Sequence, residues 1–234
     1  MTNIDRLRKL FKNKDLFTQA LTHKSWVNEN RNLRESNERL EFLGDAVLEF
    51  VVSKELFDRF PKKEEGFLTT LRANLVNTQK LSQLAKKMNL GEALYLSHGE
   101  EEGGGRENTS LLADTIEAVI GALFLDQGID RVSKFIEENL LVEIAEIIKK
   151  PLKDAKSRLQ EAVQAKGLPV PRYKIIKDSG PDHAKKFIIE VSVGGKPWGQ
   201  GAGKNKSMAA QKAAEDALKK LDSKDLIADT LNDD

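Results

Sequence analysis

The sequence of 234 residues contains no cysteine, only three histidines and few aromatic residues. The lack of cysteine excludes a disulfide framework, a zinc site with cysteine ligands and a cysteine nucleophile, and it suits a reducing compartment. No apolar run approaches the roughly 20 residues that a membrane span needs. The first residues also lack the basic start and apolar stretch of a signal peptide. We therefore expect a cytoplasmic protein with no membrane contact.

The net charge of +1 hides an uneven distribution of charge along the chain. Residues 1–150 carry a net charge of −3, residues 151–221 carry +8, and residues 222–234 carry −4. A basic segment of this kind is typical of proteins that bind polyanions, but a solvated basic surface has the same composition. Charge alone leaves both interpretations open.

The hydrophobic pattern changes near Pro151. Before this residue, apolar side chains recur at the three- and four-residue spacing of helices, and a proline disfavours helix in the residue that precedes it. After it, the pattern predicts a helix, three strands and a second helix. We predict an α+β protein with an all-α domain at 1–150 and an α-β-β-β-α domain at 151–221. The acidic tail at 222–234 is expected to be disordered.

Residues 37–49 predict a helix with carboxylates on one face and apolar residues on the opposite face. The acids on that face are Glu38, Glu41, Asp45 and Glu49. Like charges four residues apart repel, and no lysine or arginine shares the face at helical spacing. A cation from elsewhere in the fold would relieve this repulsion. The ordinary alternative is that water solvates the acidic face.

Residues 111–125 are apolar or small apart from Asp114, Thr115 and Glu117, which is typical of a core helix. Thr109 or Ser110 is predicted to cap this helix. Unpaired carboxylates are costly to bury unless they are neutralised, paired with an arginine or bound to a metal. Oxygen ligands without cysteine favour Mg²⁺ or Mn²⁺ over zinc. If the two acidic helices face each other, their carboxylates would hold Mg²⁺ and orient a water for phosphodiester hydrolysis.

These motifs resemble a known family. Residues 37–48 resemble the signature helix of ribonuclease III, and residues 112–122 resemble its second acidic helix. The first of these motifs is highly specific. Residues 20–25 and 71–76 resemble further stretches of the family, and residues 154–221 are similar to its double-stranded RNA-binding domain. The resemblance covers nearly the whole chain except the acidic tail.

The resemblance implies an Mg²⁺-dependent endonuclease for double-stranded RNA, with Mn²⁺ as a substitute and no organic cofactor. It also implies a homodimer in which each subunit cuts one strand and leaves a 5′-phosphate, a 3′-hydroxyl and a short 3′ overhang. The implied substrates are ribosomal RNA precursors and some messenger and transfer RNAs. The alternative is a non-catalytic protein of the same fold that binds structured RNA, as in relatives that have lost the acids.

The resemblance also assigns roles to single residues. The implied metal ligands are Glu41, Asp45, Asp114 and Glu117. Asp45 and Glu117 are the implied catalytic pair, with Glu38 and Glu65 in supporting roles. Phe42 falls at the position that packs into the partner subunit.

The implied RNA contacts lie in the basic domain. They are Ser157, Gln160, Gln164, His183, Lys204 and Lys206. The first three share one face of a predicted helix, and short polar side chains suit the shallow minor groove of double-stranded RNA. Without the resemblance, these three residues would be an ordinary solvated helix face. Ser207 stands where family members often have a second lysine, which predicts weaker phosphate binding.

Overall fold

The computed structural model describes residues 3–180 and 185–222 of the chain. His183 and the tail beyond Asp222 lie outside the described residues. The chain divides into two compact units, Met1–Leu152 and Lys153–Asp234. No helix among the described residues is both long and apolar enough to cross a membrane. The cytoplasmic location stays a prediction.

The regular secondary structure in the described part of the first unit is helical, apart from one parallel bridge between Thr22 and Tyr95. Its α-helices are α1 (Asn3–Lys9), α2 (Lys14–Ala20), α3 (Lys24–Glu29), α4 (Glu38–Arg59), α5 (Glu65–Leu75), α6 (Thr78–Lys87), α7 (Leu90–Ala93), α8 (His98–Glu102), α9 (Thr109–Asn139) and α10 (Ile144–Ile147). Two 3₁₀ turns, at Gly105–Glu107 and Leu141–Glu143, join the later helices.

Helices α4 and α9 form the centre of the first unit. Leu48, Val52 and Leu56 on α4 are almost fully buried, as are Ile116 and Ile120 on α9. The acidic positions of both helices lie off this apolar contact, so the core holds the helices together while the carboxylates remain at its edge.

The start of α9 differs from the prediction. Asn108, rather than Thr109 or Ser110, caps the helix, because its side chain accepts hydrogen bonds from the backbone nitrogens of Ser110 and Leu111 at 3.0 and 3.2 Å. Asn108 has extended backbone angles, as an N-cap residue requires, whereas Thr109 is already helical. The cap fixes the register from which Asp114 and Glu117 project.

The second unit contains α11 (Ala155–Gln164), β1 (Arg172–Ser179), β2 (Lys186–Val193), β3 (Lys196–Gly203) and α12 (Lys206–Asp222). The strands form an antiparallel sheet in the order β1-β2-β3. A helical unit followed by this α-β-β-β-α unit confirms the predicted fold class.

Small residues allow α12 to lie directly on the sheet. Ala213 and Ala217 are fully buried. A Cβ atom on Gly201 would lie 2.2 Å from the backbone nitrogen of Ala213, so only glycine fits beneath the helix at this point. The alanine-rich pattern of α12 therefore reflects close packing on β3.

Candidate active site

Two glycines bring the backbones of α4 and α9 into direct contact. A Cβ atom on Gly44 would lie 1.7 Å from the carbonyl oxygen of Glu117, and one on Gly121 would lie 2.1 Å from the carbonyl oxygen of Leu40. Neither position can hold a side chain without separating the helices. The contact lies at the level of the acidic residues, so it sets the distance between the carboxylates of the two helices.

Three of the four predicted metal ligands converge at this contact. Glu41 from α4 and Asp114 and Glu117 from α9 each offer a carboxylate oxygen, and these oxygens all lie within 4.8 Å of one another. All three residues are half-buried. We call these three residues the acid group. Asp45 lies one turn further along α4, is exposed and adds no oxygen to the group.

Burial and mutual repulsion oppose ionisation of the acid group. Burial, together with the nearby charge of Asp45, raises the pKa of Glu117 to about 7. Burial and the charge of Asp114 raise the pKa of Glu41, and burial raises the pKa of Asp114. Three carboxyls with raised pKa values at one point need either protons or a cation to be stable.

Cations from other helices pair with the acids at the two ends of the acidic face. Lys24 Nζ lies 3.1 Å from Glu38 Oε1, and Arg72 Nε lies 2.8 Å from Glu49 Oε2. Lys24 and Arg72 are therefore cations from elsewhere in the fold that relieve repulsion between the acids of α4, as the sequence predicted. The hydrogen bond from Lys24 lowers the pKa of Glu38.

The central acids form no such ion pair. In the part of the chain that the structure describes, no lysine or arginine forms an ion pair with the acid group or with Asp45. Convergent and half-buried carboxylates without a cationic side chain are the donor set that a hard divalent cation such as Mg²⁺ prefers. The residues present therefore fit a divalent metal ion.

Two other predicted residues lie apart from the acid group. Glu65 begins α5, is exposed and adds no oxygen to the group; its carboxylate accepts a 2.7 Å hydrogen bond from the Thr69 hydroxyl. Phe42 projects from α4 with 81% of its surface exposed. Phe50 and Phe57 follow at two-turn spacing on the same helix and are also exposed. One side of α4 thus presents an aromatic stripe.

The predicted minor-groove contacts lie on α11. Gln160 and Gln164 are exposed. Ser157 is half-buried, and Asp154 accepts hydrogen bonds from both its backbone nitrogen and its hydroxyl, at 3.1 and 3.0 Å. Asp154 also accepts a 2.9 Å hydrogen bond from the side chain of Gln211 on α12. This network fixes the first turn of α11 against α12.

The predicted phosphate contacts lie at the start of α12. Lys204 and Lys206 are both exposed on either side of Asn205. The side chain of Asn205 caps the helix by accepting a 2.8 Å hydrogen bond from the backbone nitrogen of Met208. The two lysines therefore lie beside a helix N-terminus, where the backbone also favours an anion.

Several residues that shape this site were not predicted from the sequence. Lys24 and Arg72 both lie in stretches that resemble the family, so the resemblance contained a signal for them. Gly44 and Gly121 each lie inside a predicted helix, and an interior glycine that is costly to a helix is a signal of close packing.

Comparisons with known proteins cover both units. Residues 13–144 match the family model described as Ribonuclease-III-like, and residues 155–221 match the double-stranded RNA binding motif. The chain belongs to the ribonuclease III family. This membership confirms the predicted enzyme class, and enzymes of this class generally depend on a divalent metal ion.

The chain is similar to curated relatives over nearly its whole length. It is 49% identical over 212 residues to Ribonuclease 3 of Anoxybacillus flavithermus. That alignment covers 90% of this chain and 89% of the relative. It is also 49% identical over 212 residues to Ribonuclease 3 of a Geobacillus species, which covers 90% of this chain and 86% of that relative.

Two solved structures resemble the helical unit of this chain. A crystal structure of the nuclease domain of ribonuclease III from Campylobacter jejuni matches with a TM-score of 0.53 at 41% identity, over 64% of this chain and 99% of that one. A second structure of the same domain, which concerns flexibility in a region involved in dimer formation, matches with a TM-score of 0.52 at 44% identity. That match covers 58% of this chain and 97% of the other.

Proposed function

We propose that this protein is an Mg²⁺-dependent endonuclease that hydrolyses phosphodiester bonds in double-stranded RNA, and that Mn²⁺ substitutes for Mg²⁺. The observation that carries the proposal is the acid group, whose three carboxylates converge without a cationic partner on a ribonuclease III fold. No organic cofactor is needed for this chemistry.

The acid group would hold the metal ion, with Asp45 as a further ligand from the next turn of α4. When bound, Mg²⁺ supplies positive charge that polarises the scissile phosphate and makes a coordinated water more acidic. Hard carboxylate oxygens match this ion better than they match zinc. Glu38 remains tied to Lys24, so it acts at the border of the site, and the supporting role of Glu65 stays a prediction.

The reaction requires no covalent bond between the protein and the RNA. Asp45 and Glu117 orient the attacking water by accepting its hydrogen bonds. The water loses a proton to solvent as its oxygen bonds to phosphorus, and the departing 3′ oxygen takes up a proton from solvent as its bond to phosphorus breaks. The products are a 5′-phosphate and a 3′-hydroxyl. The protein contributes position and fixed charge, and no side chain needs to act as a nucleophile.

The second unit binds the duplex on which the first unit acts. Ser157, Gln160 and Gln164 reach the 2′-hydroxyls and base edges of a minor groove from α11. Lys204 and Lys206 bind phosphates at the start of α12. The role of His183 in a second minor groove stays a prediction, because this residue lies outside the described part of the chain.

The enzyme acts as a homodimer through the aromatic stripe of α4. Phe42, Phe50 and Phe57 are 81, 59 and 70% exposed, which is a large apolar surface for a single helix face. The related Campylobacter jejuni nuclease domain contains a region involved in dimer formation. Two subunits place two acid groups on one duplex, so each strand is cut once and short 3′ overhangs result.

The biological substrates follow from the family resemblance alone. We propose ribosomal RNA precursors as the principal substrates, with some messenger and transfer RNAs in addition. The competing function is structured-RNA binding without cleavage. The presence of all four carboxylates favours the nuclease, since a binding protein has no need for unpaired acids at this contact.

Cleavage of a long perfect RNA duplex tests the proposal. With Mg²⁺, the duplex should be cut to short duplexes with 5′-phosphate ends, and a chelator should stop the reaction. A duplex that is retarded in a gel but remains uncut with Mg²⁺ and with Mn²⁺ would support the binding function instead.

A further inference from the structure

The segment between α3 and α4 lines a groove at the start of α4. The groove has a volume of about 610 Å³, and Leu33, Arg34 and Arg39 contribute to its lining. Glu38 lines the end at which α4 begins. Glu41 follows Glu38 by about one helical turn, a rise of roughly 5 Å, so this end of the groove is one turn of α4 away from Glu41 of the acid group.

Two aromatic rings hold the side chain of Arg34 in place. Its guanidinium carbon lies 4.9 Å from the ring centre of Trp26 and 4.4 Å from that of Tyr95. The two rings meet edge to face with their centres 5.8 Å apart. This stacking immobilises a planar cation before any ligand binds, which lowers the entropy lost on binding.

Backbone hydrogen bonds fix the two rings themselves. The backbone nitrogen of Tyr95 donates to the carbonyl oxygen of Leu21 at 2.9 Å, and the backbone nitrogen of His23 donates to the carbonyl oxygen of Tyr95 at 3.1 Å. Trp26 lies in the first turn of α3, directly after this pairing. The ring pair is therefore part of the framework of the first unit.

The groove presents cations that have no acidic partner. Arg34 and Arg39 are exposed, and no acid among the residues in the described ranges forms an ion pair with either of them. Glu35 also lines the groove and receives a 3.4 Å hydrogen bond from Gln19, while Glu38 is paired with Lys24. A guanidinium that is stacked but unpaired keeps its donors free for an oxyanion.

We propose that Arg34 binds a backbone phosphate of the RNA strand that enters the acid group. This inference rests on the proposed function and adds a substrate contact to it. Residues 1–150 carry a net charge of −3, and the acid group repels phosphates, so the helical unit needs a local cation to guide the strand. Arg34 provides this cation in a fixed position in the groove that Glu38 also lines.

The test compares Arg34→Gln with Arg8→Gln, a matched loss of charge at an exposed arginine of α1 outside the groove. Duplex cleavage by the full chain is measured over a range of salt concentrations. For Arg34→Gln we expect KM to rise about three- to tenfold while kcat changes by less than about twofold. The salt dependence of kcat/KM should fall by about one charge, and Arg8→Gln should match the wild type.

Arg34→Lys separates the charge from the planar shape. This variant should keep the wild-type salt dependence, and its KM should lie between those of the wild type and Arg34→Gln. An ammonium group is not planar, so it cannot stack flat on the rings or offer two parallel N–H donors to one phosphate. Wild-type KM and salt dependence in Arg34→Gln would overturn the inference, as would a loss of kcat with unchanged KM.

A binding assay keeps the two hypotheses distinct. Fluorescence anisotropy measures binding of uncut duplex to the full chain with Glu117→Gln, with and without Arg34→Gln. A smaller salt dependence in the double variant supports the Arg34 contact even if the wild type fails to cut RNA. Failure to cut would then count against the proposed function alone. Equal salt dependences would contradict the Arg34 contact.

Discussion

At the scale of the residue, the carboxyl groups of the acid group are in conflict, because burial and mutual repulsion both oppose their ionisation. Burial raises the pKa of Glu117 to about 7, with Asp45 and Asp114 adding to the shift. Near neutral pH the metal-free protein must therefore either keep a proton on this carboxyl or accept repulsion between its carboxylates. A divalent cation removes the conflict, so metal binding and proton release are linked at this site.

This conflict predicts an unusual pH dependence for the metal-free protein. The folded pKa of Glu117 lies above the ordinary value of 4.5, so the folded state binds more protons than the unfolded state between about pH 4.5 and 7. Stability from this residue is present at the acidic end of that window and is lost as the pH rises through 7. At pH 8, the free energy of unfolding of Glu117→Gln should exceed that of the wild type by about 1 kcal/mol. This value is smaller than the full pKa shift implies, because solvent screens the charge of a half-buried group.

Urea unfolding in the presence of a chelator, from pH 5 to pH 8, measures this difference. His23 has a lowered pKa and changes stability with the opposite sign, but it is present in both proteins and cancels in the comparison. Added Mg²⁺ should stabilise the wild type more than the variant at pH 8. A difference between the two proteins that does not vary with pH would show that Glu117 ionises normally.

At the scale of the element, the site depends on how closely α4 and α9 approach. The sequence predicted both acidic helices, because the apolar spacing and the carboxylate spacing each follow a helical period. It did not predict that the helices meet at Gly44 and Gly121, because helical periodicity describes one helix and not its neighbour. The cap at Asn108 was missed for a related reason: three successive residues, 108 to 110, are all good caps, and only the backbone angles decide among them.

The glycine contact predicts that Gly44→Ala and Gly121→Ala are strongly destabilising. An added Cβ would lie 1.7 or 2.1 Å from a backbone oxygen, so the helices must separate, at a cost of about 3 kcal/mol or more. Gly66→Ala on α5 is the matched control, because nothing lies within 4 Å of its added Cβ. The control should be neutral or stabilise by up to about 1 kcal/mol. Thermal unfolding of the three variants tests the contact, and equal melting temperatures would refute it.

The start of α12 carries the second prediction at this scale. Lys206→Ala should weaken duplex binding and lower its salt dependence by about one charge, because Lys206 lies beside the helix N-terminus. Lys219→Ala is the control at the other end of the same helix, about 20 Å away. Binding isotherms at several salt concentrations measure both. Equal effects of the two variants would indicate that only the net charge of the domain affects binding, and that Lys206 makes no specific phosphate contact.

At the scale of the whole molecule, charge separates the two tasks. The basic residues 151–221 carry +8 and resemble a duplex-binding module, whereas residues 1–150 carry −3 and contain the acid group. The sequence predicted this division, because charge and hydrophobic pattern change together near Pro151.

The aromatic stripe of α4 was only partly predicted. Phe42 was identified from the resemblance, but the exposure of Phe50 and Phe57 depends on which side of α4 faces α9.

The aromatic stripe predicts that Phe42→Asp disrupts the dimer. Placing a charge in an apolar interface should raise the dimer dissociation constant by about a hundredfold or more. Val142→Asp changes a residue that is 61% exposed elsewhere in the helical unit and should leave the dimer intact. Sedimentation velocity at micromolar concentration distinguishes the species. A wild type that sediments as a monomer would contradict the dimer, as would a Phe42→Asp variant that remains dimeric.

The central claim is that the acid group cuts double-stranded RNA with a divalent metal ion. The most direct test measures cleavage of a long RNA duplex, with and without Mg²⁺, by the wild type, by Glu117→Gln and by Glu92→Gln, which changes an exposed acid on α7. We predict Mg²⁺-dependent cleavage by the wild type and by Glu92→Gln, and a loss of about a hundredfold or more in kcat for Glu117→Gln. Unchanged cleavage by Glu117→Gln at every Mg²⁺ concentration would show that the acid group is not the catalytic centre.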